Sequence, residues 1–387
     1  MISKSKTPQI RFKVFSGEWE ENKLGDIGSI GMNKRVFKNQ TSNKGDIPFF
    51  KIGTFGSKAD AFISRKLFEE YKYKYPYPKK GDLLISASGS IGRIVEYTGK
   101  DEYYQDSNIV WLMHDNLIVN SFLKQFYSVV KWSGLEGSTI KRLYNKNILE
   151  TPISLPTHDE QSKIGDYFQN LDKLIEQKEK KQQKLKQFKK AMLDKMFPKN
   201  GADTPEVRFK GFSGEWKEIE LDNIVNRYDN LRIPISAIDR ISGITPYYGA
   251  NGIQGYIEGY THDGEFILVA EDGANDLKNY PVQYVNGKIW VNNHAHVLQA
   301  KEGLANNSFL KFAISKINIE PFLVGGGRAK LNANIMMSMN FNIPSNISEQ
   351  VKIGNYFQKL DKQIDLQQKE LEKLKNIKKA SLAKMFV

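Results

Sequence analysis

Two interleaved repeats constrain the fold of this chain more than any other feature of its sequence. The segment at 8–27 returns at 205–224 with 12 of 20 positions identical, and the segment at 160–197 returns at 349–386 with 23 of 38 identical. The order is therefore an opening motif, a variable block and a long repeated segment, and then the same again. Such a chain uses one framework twice to hold two different blocks.

Each long repeated segment predicts a helix. Neither contains Pro, both are rich in Lys, Gln, Glu and Leu, and their apolar residues recur at steps of three and four. Asp159 and Ser348 are predicted N-caps. A phase slip falls at Phe188. The predicted helix-pairing residues are Ile164, Phe168, Leu171, Ile175, Leu185, Phe188, Ile353, Phe357, Leu360, Ile364, Leu371 and Leu374.

A helix of this length needs a partner. It would be about 57 Å long at 1.5 Å per residue, and an isolated helix is marginal in water. The other copy is the obvious partner, and a pseudo-twofold axis would pair the two helices as an antiparallel coiled coil. The alternative is two amphipathic helices that pack on separate cores.

The variable blocks predict sheets. Block one has strand-like runs at 46–55, 81–97 and 107–113, and block two has them at 246–275 and 281–300. We expect an α+β fold with a pseudo-twofold repeat of two mixed α/β domains, each with a curved, mostly antiparallel sheet, joined by the long helices. The predicted segments are domain 1 at 1–157, a central helix at 158–200, domain 2 at 201–345 and a C-terminal helix at 346–387.

Charge favours a polyanionic partner, but unevenly. The net charge is +13, residues 1–157 carry +8, and residues 201–345 carry −3. The second block must therefore bind through something other than net charge. The chain has no cysteine, which suits a reducing cytoplasm, and its N-terminal sequence has no apolar signal region, so we expect a cytoplasmic protein.

Several motifs resemble one family. The chain has the RFxxFSGEW motif in both halves, the GDLLIS and GSIG runs, YYGANGIQGY, GGGRAKLN, and LPxxxEQxKI before the helix. Together these motifs resemble those of the specificity subunits of type I restriction–modification enzymes. The lead into the second helix departs from the first by one inserted residue between Pro344 and Glu349. The resemblance implies two target-recognition domains that read a bipartite, asymmetric DNA site, spaced by the helices.

The resemblance also implies partners. Two modification (methyltransferase) subunits and two restriction (ATP-dependent translocase and nuclease) subunits would bind this chain and double-stranded DNA, with no membrane partner. S-adenosylmethionine, ATP and Mg²⁺ would act in those subunits, and this chain would hold no cofactor. The target sequence and spacer length cannot be read from the chain.

Polar and aromatic side chains in the variable blocks are the candidate DNA contacts, because Arg, Lys, Asn and Gln read base edges and cations and hydroxyls hold phosphates. In the first half they are Lys34, Arg35, Lys51, Lys72, Tyr73, Lys74, Ser86, Ser88, Ser90, Arg93, Lys141 and Arg142. In the second half they are Tyr247, Tyr248, Asn251, Gln254, Asn275, Lys278, Asn292, Asn293, Arg328 and Lys330.

Catalytic chemistry is not expected in this chain. No NPPY-like methyltransferase motif or Walker loop occurs, and the nearest metal candidates are the acids of AEDGAN and the pair His294 and His296, for which a polar strand end is the simpler interpretation. Trp19 and Trp216 are expected to be core residues, with docking of the modification subunit as the alternative.

Two other functions remain open at this point. The chain could be a fragment of a fused restriction–modification enzyme, or a coiled-coil scaffold or adaptor with no DNA role. Neighbouring reading frames for a methyltransferase and a translocase would favour the recognition subunit over both.

Overall fold

The structure is a computed structural model that describes residues 6–134, 141–199, 201–325 and 329–387. Its packing divides the chain into unit 1, Met1–Lys178 with Glu370–Val387, and unit 2, Glu179–Lys369. This division falls inside the two long helices, so each unit contains part of both. The segment boundaries taken from the sequence had instead set the helices apart from the domains, and they stay a prediction.

Unit 1 contains short strands and helices ahead of the first long helix. Its strands are β1 (Glu20–Lys23), β2 (Gly28–Gly31), β3 (Ile47–Phe50), β4 (Ala61–Ile63), β5 (Leu83–Ser86), β6 (Ile94–Glu96), β7 (Tyr103–Tyr104), β8 (Ile109–His114) and β9 (Pro152–Leu155). Its shorter helices are α1 (Leu24–Ile27), α2 (Arg65–Lys74), α3 (Asn120–Val129) and α4 (Asn145–Leu149). The first long helix, α5, spans His158–Met196 and continues into unit 2.

These strands form three sheets. The orders are β2-β8-β5-β6, β4-β3-β7 and the pair β1-β9. All neighbours are antiparallel except β3 and β7. The antiparallel character predicted for block one is therefore confirmed, although the block splits its strands between two small sheets.

Unit 2 repeats this plan with longer strands. They are β10 (Lys217–Glu220), β11 (Val225–Arg227), β12 (Ser242–Gly249), β13 (Gly252–Ile257), β14 (His262–Ala270), β15 (Val282–Val291), β16 (Ala295–Ala300), β17 (Leu323–Val324), β18 (Lys330–Leu331) and β19 (Asn340–Ile343). The helices are α6 (Leu221–Ile224), α7 (Asn307–Lys316), α8 (Ala333–Met337) and the second long helix α9 (Ile347–Met385). Six strands form one sheet in the order β11-β16-β14-β15-β12-β13, in which only β12 and β15 run parallel.

Both long helices are present where the repeat predicts them, but their first residues differ from the expected caps. The α5 helix begins after Thr157, whose hydroxyl accepts the Glu160 N–H, and α9 begins after Asn346, whose side chain accepts the Ser348 N–H. Asp159 and Ser348 lie inside the helices, so each predicted cap was wrong by two residues. No helix among the described residues is both long and apolar enough to span a membrane.

The two helices run antiparallel within each unit. In unit 1, Tyr167 bonds Ser381 at 3.1 Å and Asp172 pairs with Lys378. In unit 2, Gln182 bonds Gln368. Partner numbers on α9 fall as those on α5 rise, which is the antiparallel sense. Close heptad packing along the seam stays a prediction.

Most predicted pairing residues are buried or half-buried, some of them in the core of a unit, with one clear exception. Buried positions are Ile164, Phe168, Leu171, Ile353, Phe357, Leu360 and Leu371, and half-buried ones are Ile175, Leu185, Ile364 and Leu374. Phe188 is 48% exposed, so its assignment to the pairing face was wrong. The buried and half-buried positions of α5 continue in steps of three and four through Leu185, Lys189 and Met192, so Phe188 lies one position away from that row.

Each unit has a core that includes helix residues. In unit 1 Trp19 contacts Phe122 and Phe386, and in unit 2 Trp216 contacts Phe309 and Phe197. Both tryptophans are only 2% exposed, so the core interpretation is confirmed and their rings are not accessible for docking.

Glycines in the repeated KIG motif let the helices approach these cores. A Cβ at Gly165 would clash with the Ser121 hydroxyl on α3, and one at Gly354 would clash with that of Ser308 on α7. The same close approach therefore occurs in both units, and it explains why a residue without a side chain stands inside a helix at this point.

A buried ion pair joins each opening motif to the start of a long helix. Arg208 donates two hydrogen bonds to Glu349, at 2.6 and 2.7 Å, and Arg11 donates two to Glu160, both at 2.7 Å. Both glutamate side chains are fully buried. A bidentate pair of this kind fixes direction as well as distance.

Removal of one partner should therefore destabilise the fold. We expect Arg208→Ala to lower the free energy of unfolding by about 3 kcal/mol, because it leaves the Glu349 carboxylate buried without its cation. Urea unfolding followed by circular dichroism measures this change.

The matched control is Lys210→Ala, which removes an exposed cation two residues away. It should change the unfolding free energy by less than about 0.5 kcal/mol. Equal stability of the two variants would contradict a structural role for the ion pair.

Candidate nucleic-acid interface

A basic and aromatic cluster lies near the C-terminal end of α2 in unit 1. The Lys34 ammonium is 4.9 Å from the centre of the Tyr75 ring, and that of Lys72 is 5.0 Å from the Tyr77 ring. Tyr73 is 90% exposed, and Lys74 pairs with a glutamate one turn earlier on the same helix. The structure thus places the predicted contacts Lys34 and Lys72 over aromatic rings, while Tyr73 and Lys74 are exposed at the end of the same helix.

The predicted row of hydroxyls along one strand face is wrong. The strand β5 ends at Ser86, and the chain then turns through Gly89 and Gly92, both with positive φ. Ser86 is 1% exposed and donates to the Ser90 carbonyl, while Ser88 is 8% exposed and donates to an asparagine side chain. These two hydroxyls build the turn and do not face a ligand.

The remaining predicted contacts of unit 1 surround that turn or lie beside it. Ser90 and Arg93 are exposed, and the Arg93 guanidinium donates to a backbone carbonyl. Arg142 donates to the Ser107 hydroxyl at 2.8 Å, and Lys141 next to it is exposed. Earlier in the chain, Arg35 pairs with Asp106 at 3.7 Å, and 68% of the Arg35 side chain is exposed. Lys51 pairs with Asp60 at 2.8 Å.

Two predicted contacts of unit 2 are core residues. The Tyr247 ring is 1% exposed, lies under the Arg240 guanidinium at 4.1 Å, and its hydroxyl bonds the backbone of Ile235. Asn292 is 4% exposed and its side chain accepts the His294 N–H. Both support surface loops from below, so their assignment as direct contacts was wrong.

Polar loops meet above these residues. The Asn251 side chain donates to the Gly273 carbonyl and accepts the Asn275 N–H, both at 2.9 Å, which joins the β12–β13 turn to the segment after β14. Asn251, Gln254, Asn275, Lys278 and Asn293 are exposed, and Tyr248 is half-buried. Arg328 lies outside the described residues.

A buried charged network underlies the same loops. Glu271 accepts hydrogen bonds from Lys330 at 2.8 Å and Arg232 at 2.6 Å, and Asp229 bonds the His296 ring at 2.7 Å. Burial opposes ionisation of both carboxylates, but these bonds outweigh it and hold the pKa of each below its ordinary value. The same bond to Glu271 raises the pKa of Lys330. The two acids and the lysine are therefore ionised at neutral pH.

The two histidines of the predicted pair bond different carboxylates. His294 precedes β16 and bonds Asp272 at 2.6 Å, whereas His296 lies within the strand and bonds Asp229. The sequence did not identify Asp229, Arg232 or Arg240 as members of this surface. Only the tertiary structure brings Asp229 and Arg232 beside residues 39 to 67 positions away, whereas Arg240 lies over Tyr247 a few residues further along the chain.

The geometry suits reading of a polyanion by two unlike surfaces. Unit 1 offers lysines and an exposed tyrosine near α2, while unit 2 offers amide side chains on bonded loops above a charged network. Amides in fixed loops can pair with base edges, and free ammonium groups can pair with phosphates.

Comparisons with known proteins agree with this arrangement. A family model described as the type I restriction modification DNA specificity domain matches residues 16–187 and 213–376. A putative type I restriction enzyme specificity subunit of Haemophilus influenzae is 58% identical over 142 residues, which are 36% of this chain and 37% of that protein. The match thus spans about a third of that relative. A putative MjaX specificity subunit of Methanocaldococcus jannaschii is 23% identical, over 94% of this chain and 91% of that protein.

The fold has a close counterpart among solved structures. The S subunit of a type I restriction–modification system from M. genitalium superposes with a TM-score of 0.72 and 16% identity, over 98% of this chain and 99% of that one. At this identity the likeness shows the fold alone. The two family-model matches, one in each repeat, cover most of the sequence. The chain therefore belongs to the type I restriction–modification DNA specificity family.

Proposed function

We propose that this chain is the non-catalytic subunit that selects the DNA site of a type I restriction–modification enzyme, and that it reads a bipartite, asymmetric sequence. The observation that carries the proposal is the repeated framework with unlike loops. The ion pairs of Arg11 and Arg208 and the glycines of the KIG motif recur in both units, whereas the loop residues do not. One framework with two surfaces suits two different half-sites.

The unequal charge of the two blocks fits a division of labour. Unit 1 would supply much of the phosphate attraction through lysines such as Lys34 and Lys74, together with the basic long helices. Unit 2 would contribute more through Asn251, Asn275 and Asn293, because amides read bases without net charge. The second block is then able to recognise DNA even though it carries a net charge of −3 between residues 201 and 345.

Chemistry would belong to partner subunits. Two modification subunits would use S-adenosylmethionine to methylate adenine, and two restriction subunits would use ATP and Mg²⁺ for translocation and cleavage. A base inside a duplex must leave the stack before it can be methylated, so this chain would position the duplex for a methyltransferase that flips the base.

The first test is to map methylation. The chain is expressed with its modification subunit in a host that lacks adenine methylation, and methylated adenines are located across the genome. We expect one split motif with a fixed spacer. An active complex that methylates without a split motif, or a stable complex that does not bind DNA, would overturn the proposal in favour of a scaffold.

A second test concerns phosphate contacts in unit 1. For the complex on a duplex that carries the mapped motif, Lys34→Ala should reduce the slope of log affinity against log salt by about one, since one cation no longer displaces counterions. The control Lys217→Ala removes an exposed lysine outside the predicted surface and should keep the slope. The same slope for Lys34→Ala and the unaltered complex would exclude Lys34 as a phosphate contact.

A third test concerns the helices as spacers. Deletion of seven residues from both α5 and α9 shortens each by about 10 Å, which corresponds to about three base pairs of DNA. We expect the mapped motif to keep both half-sites and to lose about three base pairs of spacer. Altered half-sites with an unchanged spacer would contradict the spacing role.

A further inference from the structure

A buried imidazole of unit 2 holds the strand β18 through a backbone carbonyl. The His296 Nε2 atom lies 2.9 Å from the Leu331 carbonyl oxygen, and its Nδ1 atom lies 2.7 Å from Asp229 Oδ2. The ring is 1% exposed. A carbonyl oxygen and an ionised carboxylate only accept hydrogen bonds, so a ring that bonds both of them carries a proton on each nitrogen.

Two acids and three cations surround this ring. Asp229 and Glu271 are the acids, at 2.7 and 3.7 Å from Nδ1. Arg232 bonds Glu271 and lies 3.6 Å from Asp229, Lys330 bonds Glu271, and Arg227 lies 3.7 Å from Asp229 on the solvent side. The network thus joins the ends of β11, β14 and β16 to β18.

Unit 1 has the same backbone arrangement at this place. The Leu331 N–H donates to the Glu271 carbonyl at 2.7 Å, and the Leu143 N–H donates to the Ala87 carbonyl at 2.8 Å. In both units this bond ties the returning strand to the end of a central strand. Glu271 of unit 2 and Ala87 of unit 1 therefore occupy equivalent positions.

The equivalence extends to the strand beside it. The N–H groups of Ala87 and Glu271 donate to the carbonyls of Asn108 and His294, at 2.7 and 2.9 Å. Two residues after these carbonyls, Val110 in unit 1 stands where His296 stands in unit 2.

A third position completes the match. Met32 follows Gly31, which lies opposite Trp111 in the sheet register of unit 1. Asp229 follows Tyr228, whose N–H donates to the carbonyl of Val297 in unit 2. Met32, Ala87 and Val110 all belong to the apolar core of unit 1 or pack against it. Unit 1 therefore builds the same backbone with three apolar side chains where unit 2 has two acids and a histidine.

The apolar side chains of unit 1 show what the shared framework needs at these three positions. A buried charged network is seldom more stable than apolar side chains of similar volume, since removal of charges from water costs free energy. The framework of unit 1 forms with the apolar set. The shared framework therefore does not require the charged set of unit 2. This set contacts Lys330 of β18, and its Glu271 precedes by two residues the Gly273 carbonyl that Asn251 bonds.

We propose that His296, as an imidazolium between Asp229 and Leu331, is a positioning residue that fixes β18 and Lys330 for reading of the half-site bound by unit 2. This inference rests on the proposed function and adds a residue to it. His296 holds the Leu331 carbonyl and Glu271 holds the Lys330 ammonium. The strand β18 therefore has one orientation when it meets the DNA. An apolar residue at position 296 would leave that orientation to packing alone.

The test compares His296→Val with a combined variant, Asp229→Met, Arg232→Ala, Glu271→Ala and His296→Val. The combined variant removes the buried charges together and leaves only the partly exposed Lys330 and Arg227 without their acids. Each variant is expressed with the modification subunit, and the methylated motif is mapped as for the unaltered chain. We expect both variants to keep the half-site that unit 1 reads. At the half-site that unit 2 reads, the preference for the correct sequence should fall at least about tenfold, the usual effect of losing a hydrogen bond to a charged group.

A core variant of the same unit controls for general destabilisation. Ile267→Val removes one methylene from a fully buried residue of β14 and should keep the full motif. Urea unfolding should show the combined variant as stable as the unaltered chain. A destabilised combined variant would mean that the network serves the fold, and this would overturn the proposal.

A spectroscopic measurement tests the proton count directly. The chain has five histidines, so selective ¹⁵N labelling gives five rings, and the signal lost in His296→Val identifies this one. We expect two protonated nitrogens. One protonated nitrogen, or an unchanged motif in both variants, would overturn the inference and leave the proposed function intact. Absence of a split motif with the unaltered chain would overturn both.

Discussion

The pairing of a buried glutamate with an arginine from the opening motif is the interaction on which the rest of each unit depends. Glu160 and Glu349 are the third residues of the two long helices, and their carboxylates are fully buried. Each would be costly without Arg11 or Arg208, because a lone buried charge loses its hydration. The pairs therefore fix where the chain enters each unit relative to the helix that leaves it.

From that fixed point the two units can differ. The tryptophans and the glycines of the repeated helix motif pack alike in both, while the sheets differ in size and division. Sequence change is tolerated in the loops, since few core contacts depend on them. The same framework then holds a surface rich in lysine and tyrosine in one unit and a surface rich in amides in the other.

The parts of the fold that depend on periodicity could be predicted from the sequence. The long helices and most of their inner-face residues follow from apolar spacing, and the strands follow from short apolar runs between turns. Phe188 was misplaced because its apolar side chain was chosen over the neighbouring Lys189, which occupies the position that regular steps of three and four require. The helix caps were missed because Thr157 and Asn346 compete with polar residues just beyond them.

The candidate contacts were harder to predict, because the sequence does not say which face of a strand is buried. Tyr247 and Asn292 have the chemistry of contacts but lie in the core, where Arg240 covers the ring of Tyr247. The row predicted from Ser86 onward failed because two glycines end the strand and turn the chain. Such outcomes depend on tertiary contacts that span tens of residues.

The division of the helices between the units has a consequence for synthesis of the chain. Unit 2 is one continuous stretch, Glu179–Lys369, whereas the core of unit 1 includes Met385 and packs against Phe386. The Ile10 N–H also bonds the Lys384 carbonyl. At roughly 5–20 residues per second, a ribosome needs about 10–40 s to make the intervening stretch. Unit 1 therefore emerges first but completes its core last, and its apolar strands must wait in the nascent chain until translation reaches the final helical turns.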